Sequence, residues 1–96
     1  MPSFRVILGV GALRAGVQPP TVLPSVAEAI ATLATVEAHS VELVAGEPRL
    51  VIRFTADDPE HALRIAAEAD VTAGALAQVL SRRVLQRVGG RWLRIG

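Results

Sequence analysis

Every second residue of 4–10 is a large apolar residue, and this period of two predicts the first strand of a sheet. Successive side chains of a strand point to opposite sides. One predicted side is wholly apolar and consists of Phe4, Val6, Leu8 and Val10. The opposite side is mixed and consists of Arg5, Ile7 and Gly9. The first strand is therefore predicted to cover a core with one side only.

Two later segments have the spacing of helices. Ser25 followed three residues later by Glu28 predicts a capping box, and the apolar stripe of this first helix (Val26, Ile30, Leu33, Ala34) continues to about residue 36. Asp58 followed by Pro59 predicts the start of a second helix, because an aspartate caps well and proline suits the first helical position. Residues 70–81 either continue this helix past Gly74 or form a short helix capped by Thr72.

Two hairpins complete the pattern. A two-residue turn at Gly46-Glu47 is predicted to place Leu43 opposite Leu50. A second turn at Gly89-Gly90 is predicted to pair the last two strands. This pairing puts Trp92 on the same side of the sheet as Arg83, Leu85, Arg87 and Arg94.

The order of elements is strand, helix, strand, strand, helix, strand, with one extra strand at the C-terminus. It predicts a single α+β domain over residues 1–96, a ferredoxin-like βαββαβ sandwich with an extra C-terminal strand. Right-handed crossovers put two helices on one face of the antiparallel sheet. The other face is then left without cover.

That uncovered face is the candidate functional surface. It is predicted to carry six arginines against one glutamate, Glu42, with apolar residues between them. An apolar patch with a polar rim is typical of an interaction site, and Arg and Trp are common at the energetic centre of interfaces. The candidate interface residues are Trp92, Leu85, Val51, Ile7, Arg53, Arg87 and Arg94.

Composition narrows the class of protein. Half of the 96 residues are hydrophobic, which favours a packed core over disorder. No cysteine is present, so disulfides and thiolate chemistry are excluded. All ten basic residues are arginine, the side chain that grips carboxylates and phosphates in bidentate fashion. With no signal peptide or membrane-length apolar run in view, we expect a cytoplasmic protein without membrane contact.

The glycines of residues 9–16 resemble the start of a dinucleotide-binding fingerprint without completing it. Gly9 and Gly11 fit its first two positions, but Arg14 occupies the third glycine position. We interpret Gly9 and Gly11 as the end of a strand. A weaker alternative is a loop that holds a small anion or ligand, with Gly11, Arg14 and Gly16 as the candidate residues.

The ionisable residues do not assemble into a catalytic or metal site. His39 is interpreted as a hydrogen-bonded residue at the rim and His61 as a solvated residue. Neither a Ser-His-Asp set nor a pair of carboxylates is apparent, so we expect no catalytic residues, no metal and no cofactor. An enzyme is an alternative class, since some small ferredoxin-like dimers catalyse reactions in cavities lined mostly by apolar side chains.

The function expected from these observations is a small association or regulatory module that forms a homodimer or docks a partner protein. A solvated arginine face without a partner ranks second, and nucleic-acid binding on the same face ranks third. A metabolite-sensing domain that uses the first glycine-containing loop is a further alternative, from fold analogy alone.

Overall fold

The protein folds into one five-stranded sheet and two helices. A computed structural model describes all 96 residues. The elements in chain order are β1 (Ser3–Leu13), α1 (Val22–Ala31), β2 (Val36–Val44), β3 (Glu47–Thr55), α2 (Pro59–Leu76), β4 (Ala77–Val88) and β5 (Arg91–Arg94). A short 3-10 helix, Pro19–Thr21, precedes α1. None of the helices is both long enough and apolar enough to cross a membrane.

The sheet has the strand order β2-β3-β1-β4-β5, and every neighbouring pair is antiparallel. Both helices contribute their buried residues to a single core, together with one face of the sheet. The prediction of an α+β domain with two helices against an antiparallel sheet is therefore confirmed. The opposite sheet face, here called the open face, has no helix over it.

The core forms where the apolar side of β1 and β3 meets the helices. Phe4 and Phe54 lie directly opposite each other on these strands, and their ring centroids are 6.1 Å apart. The buried stripe of α2 is made mostly of alanines, including Ala66 and Ala69, both fully buried. Because these side chains are small, the backbone of α2 can lie close to the sheet.

Helix α1 begins earlier than the capping pattern predicts. Its first residue is Val22, so Ser25 lies inside the first turn, where its hydroxyl donates to the carbonyl of Thr21. The predicted cap at Ser25 is therefore wrong. The early start is possible because Pro24 stands in the first turn, where a missing N–H breaks no helical hydrogen bond. The helix ends at Ala31, which leaves Leu33 outside the stripe and 48% exposed.

Helix α2 begins as predicted. Asp58 is the N-cap, and its carboxylate accepts a hydrogen bond from the backbone N–H of His61 at 2.8 Å. The helix continues unbroken past Gly74 to Leu76, so a separate helix capped by Thr72 is wrong. Residues 77–81 belong to β4, which begins immediately after the helix.

The hairpin of β2 and β3 turns one residue earlier than predicted. Ala45 and Gly46 form the turn, both with positive φ (52° and 79°), which is the backbone of a type I′ turn. Leu43 therefore lies opposite Pro48 and not opposite Leu50. The pairing changes by two residues, an even number, so each side chain keeps its predicted face. The Gly89-Gly90 turn is confirmed, with Val88 opposite Arg91.

Candidate functional site on the open sheet face

The register of the sheet brings the seven candidate interface residues to the open face. Arg5 lies opposite Arg53 on one side and opposite Leu85 on the other. Ile7 is likewise opposite Val51. The remaining three lie on the last two strands, where Arg87 is opposite Trp92 and Arg94 is opposite Leu85. The predicted sorting of side chains between the two faces is therefore confirmed for these residues, whereas their role as an interface stays a prediction.

The indole of Trp92 lies over the guanidinium groups of two arginines. The guanidinium carbon of Arg5 is 4.1 Å from the centroid of the Trp92 ring, and that of Arg53 is 5.4 Å away. Two cations directly opposite each other on neighbouring strands repel. The negative face of an aromatic ring attracts both and offsets this repulsion. Trp92 is half-buried in this position, since its ring reaches across β4 towards β1.

Glu37 is the one carboxylate beside Arg53 at the end of the open face where β1 begins. A bulge in β2 between Val36 and Ala38 turns it to the open face, where it accepts hydrogen bonds from Ser3 (2.7 Å) and from Arg53 (3.0 Å). The Ser3 hydrogen bond contributes most to lowering the pKa of Glu37. Desolvation raises this pKa, and the hydrogen bond of Arg53 with the charges of Arg53 and Arg87 lowers it further. Arg53 is thereby held between a carboxylate and an indole.

The centre of the open face is apolar. Ile7, Val51 and Leu85 lie on three adjacent strands and are all half-buried. Arginines surround them, because Arg83 is opposite Ile7 and Arg5 lies in the next row. The face therefore has an aliphatic centre and a cationic rim.

Gly9 lies within β1 and does not end it, contrary to our interpretation. A Cβ at this position would collide with the side chains of Glu47 and Ser81, which cross the open face here from β3 and β4. Glycine therefore allows these two side chains to approach the backbone. The Nε of Arg49, on the same row as Gly9, is buried without a hydrogen-bond partner.

The charge of the open face is less one-sided than predicted. Its six arginines are Arg5, Arg49, Arg53, Arg83, Arg87 and Arg94. They meet three glutamates and not one, because the bulge adds Glu37 and the earlier turn adds Glu47 to Glu42. The sequence carries no signal for the bulge, so Glu37 was missed. A shallow hollow of about 190 Å³ opens between Arg5, Arg53, Ser40 and Glu42.

The loop candidates Gly11, Arg14 and Gly16 lie at the far end of β1. Gly11 is still part of the strand, and Gly16 adopts a positive φ of 80° in the turn that follows. Arg14 donates from its backbone N–H to Leu76 (2.9 Å) and from its side-chain Nε to Gly74 (3.2 Å). It brings a cation to the C-terminus of α2, whose last turn has no basic residue of its own. A ligand site in this loop stays a prediction.

Neither histidine takes part in the contacts around Trp92 on the open face. His39 is exposed on β2 opposite Ile52, and its side chain forms no hydrogen bond, so the interpretation of His39 as a hydrogen-bonded residue is wrong. His61 is not simply solvated, because its Nδ1 accepts a hydrogen bond from the backbone N–H of Asp57 at 3.0 Å. No three histidine, aspartate or glutamate side chains converge to hold a metal ion.

Comparisons with protein families, with curated proteins and with solved structures find no match to this chain.

Proposed function

We propose that the chain is a small, non-catalytic association or regulatory module that docks an acidic surface of a partner protein on its open face. The observation that carries this proposal is the indole of Trp92 lying over Arg5 and Arg53, at 4.1 and 5.4 Å. The stack holds two guanidinium groups in place before a partner arrives. Fewer side-chain rotamers then have to be fixed on binding.

The apolar centre supports a protein as the partner. Ile7, Val51, Leu85 and Trp92 lie on four adjacent strands of this face with arginines at neighbouring positions, and an apolar patch with a polar rim is the usual anatomy of an interface. The five strands hold 45 residues in total, and at about 3.4 Å per residue and about 4.8 Å between strands the sheet face has an area of roughly 700 Å². This is close to the roughly 800 Å² that one partner contributes to a standard interface. The planar guanidinium groups suit bidentate pairing with carboxylates.

The charge of the face supports an acidic partner over a second copy. Six arginines against three glutamates leave an excess of positive charge. Two copies stacked through this face would bring both sets of arginines together, and like charges facing each other across an interface are unfavourable. The homodimer through this face stays a prediction, ranked second to an acidic partner.

The positive charge of the open face is suitable for binding nucleic acid, but its aromatic content is not. Proteins that read single strands stack successive bases on several aromatic rings. Trp92 is the only aromatic residue of this face, and Arg5 already covers one side of its ring. A metabolite-sensing role for the loop of Gly11, Arg14 and Gly16 gains no support from Arg14, whose Nε is bonded to α2.

For the architecture, we propose a ferredoxin-like sandwich with an added strand. The order β2-β3-β1-β4-β5, with β1 between β3 and β4 and both helices on one face, supports this assignment. In such a sandwich each helix crosses over one intervening antiparallel strand, which leaves the opposite face accessible to a partner.

The test uses the fluorescence of Trp92, the only tryptophan of the chain. We expect poly-glutamate, added as an acidic polypeptide probe at low salt, to shift the emission of Trp92 and to bind less tightly as salt is raised. The variants Arg5→Ala and Arg53→Ala are expected to weaken this binding about tenfold each, since a charge-assisted hydrogen bond contributes roughly 1.5 kcal/mol or more.

The matched control is Arg64→Ala, an exposed arginine on α2 outside the open face, which is expected to bind as the wild type does. A single-stranded oligonucleotide serves as the competing probe. Tighter binding of the oligonucleotide than of poly-glutamate would favour the nucleic-acid alternative. Equal weakening by Arg64→Ala and Arg53→Ala would show that only net charge matters and would contradict a docking site on this face.

A further inference from the structure

Strand β2 is a long, uncovered edge of the sheet. Eight of its nine residues are exposed, and only Val36 is half-buried. Two apolar side chains on the helix side of this strand are left in water: Val41 is 51% exposed and Leu43 is 72% exposed. Proteins usually protect such edges with prolines, charged side chains, bulges or short strands, because unpaired backbone groups recruit another strand. β2 has no proline or lysine, and its one bulge, between Val36 and Ala38, lies at the start of the strand, which leaves residues 38–44 regular.

The position of Pro48 shows which backbone groups of β2 are not hydrogen-bonded to β3. Pro48 has no N–H and lies opposite Leu43, so this pair belongs to the non-hydrogen-bonded positions of the β2–β3 ladder. These positions alternate along an antiparallel pair. Leu43, Val41 and His39 therefore direct their N–H and C=O groups away from β3, towards solvent.

We propose that a second copy of the chain pairs its β2 antiparallel to this edge, with Val41 facing Val41 across a two-fold axis. In this register His39 lies opposite Leu43 of the second copy, and both residues have outward backbone groups. The two strands then form hydrogen-bonded pairs at three positions. The sheet continues across both copies. This association does not depend on the partner proposed for the open face.

The side chains of β2 favour this register. Glu42 lies opposite Ser40 of the second copy, so no two like charges are opposed. A two-fold axis at Glu42 would instead bring two carboxylates face to face, which is unfavourable. With the axis at Val41, the two valines pack against each other and lose much of their exposure.

A groove beside β2 can receive Leu43 of the second copy. It has a volume of about 590 Å³ and lies between α1 and β2, lined by Ala27, Ala31, Val36 and His39 among others. Since His39 is opposite Leu43 in the proposed register, the leucine enters the groove where small alanines leave room. The two-fold axis repeats this contact on the other side.

The register sets the area of this interface. With the axis at Val41, residues 38–44 of the two strands overlap, and seven residues at about 3.4 Å each give a contact roughly 24 Å long. With a thickness of 19 Å, the smallest dimension of the molecule, each copy contributes roughly 450 Å². The total of about 900 Å² corresponds to a small interface, so the dimer is expected to dissociate on dilution. Both open faces would lie on the same side of the continuous sheet.

The experiment measures the molar mass of the full chain by light scattering over a range of concentrations. We expect the wild type to be a dimer and Val41→Lys to raise its dissociation constant roughly 100-fold or more, because two lysines then face each other at the axis. Leu43→Lys, at a largely exposed position, is a second variant with little effect on the monomer. Val71→Lys, on α2 and 69% exposed, is the matched control and is expected to remain a dimer.

Amide hydrogen exchange identifies the edge that pairs. In the dimer the amides of His39, Val41 and Leu43 are expected to exchange slowly, and in Val41→Lys to exchange fast. Trp92→Ala is expected to remain a dimer. A wild type that is monomeric at every concentration overturns the proposal. So does a dimer that survives in both lysine variants, or one that is lost in Trp92→Ala.

Discussion

The two faces of the same sheet have opposite chemistry, although they are built from alternate residues of the same strands. On the face covered by the helices, Phe4, Val6 and Leu8 are fully buried. On the open face their neighbours Arg5 and Ile7 are half-buried, next to Arg53 and Val51. The covered face holds the fold together through apolar burial. The open face instead carries arginines, two of which lie over the ring of Trp92.

The largest difference between the faces is expected from truncation of one residue on each. Phe54→Ala removes a fully buried ring that stacks on Phe4, and we expect it to lower the free energy of unfolding by about 3–5 kcal/mol. Val51→Ala on the open side of the same strand is expected to cost about 1 kcal/mol, because Val51 is half-buried. Urea unfolding followed by circular dichroism measures both. Similar losses for the two variants would mean that the open face is covered as well.

The next largest change in the free energy of unfolding is expected from a substitution that tests how closely α2 packs on the covered face. Ala69→Leu adds volume where α2 has no room, and we expect a loss of about 2 kcal/mol in the free energy of unfolding. Ala75→Leu, on an exposed position of the same helix, is the control and is expected to change stability by less than about 0.5 kcal/mol. A neutral Ala69→Leu would contradict close packing of α2 on the sheet.

Trp92→Ala is expected to separate folding from docking. It removes a half-buried ring and two cation–π contacts, and we expect a loss of about 1 kcal/mol in the free energy of unfolding. The same variant is expected to weaken poly-glutamate binding by tenfold or more, roughly 1.4 kcal/mol, because the ring that we propose as the anchor of the docking surface is lost. Binding would be followed by calorimetry, since the variant has no tryptophan. A large loss of stability with unchanged binding would reverse the role assigned to this residue.

The smallest expected effect is the contribution of Glu37 to the free energy of unfolding and its dependence on pH. Its pKa in the folded protein lies below the usual 4.5, mainly through the Ser3 hydrogen bond. The folded state therefore binds this proton more weakly than the unfolded state, and the stabilisation is present above the unfolded pKa and lost as pH falls through the folded pKa. Because Glu37 is one-third exposed, we expect Glu37→Gln to cost less than about 1 kcal/mol at neutral pH and nothing in acid.

Glu68→Gln is the control for this pH dependence, since Glu68 is exposed on α2 and forms no ion pair. Urea unfolding of both variants across acidic to neutral pH provides the comparison. A constant difference between the wild type and Glu37→Gln at all pH values would contradict the lowered pKa.

The alternation of side chains made the two faces predictable from the sequence. Trp92 and Arg53 could be assigned to one face without coordinates, because a period of two fixes the side of each residue once a strand is recognised. The turn at Ala45-Gly46 could not be predicted from the sequence, since alanine rarely adopts a positive φ. This turn shifts the pairing of β2 with β3 by two residues from the predicted pairing. Because two is an even number, each side chain still lies on its predicted face.

Features that depend on departures from ideal geometry were not predictable. The bulge that turns Glu37 towards Arg53 has no counterpart in the residue pattern. The approach of Glu47 over Gly9 depends on register between strands distant in sequence. The reach of the Trp92 indole to Arg5 depends on its rotamer and on the twist of the sheet, and alternation carries no information about either.

The most direct test of the open face is collisional quenching of Trp92 fluorescence by iodide and by caesium at low ionic strength. Because the half-buried indole lies beside two guanidinium groups, we expect iodide to quench it considerably more strongly than caesium does. This asymmetry is expected to decrease in Arg5→Ala and Arg53→Ala and to be unchanged in Arg64→Ala. Emission that neither ion quenches would place Trp92 beneath the helices and would contradict the account.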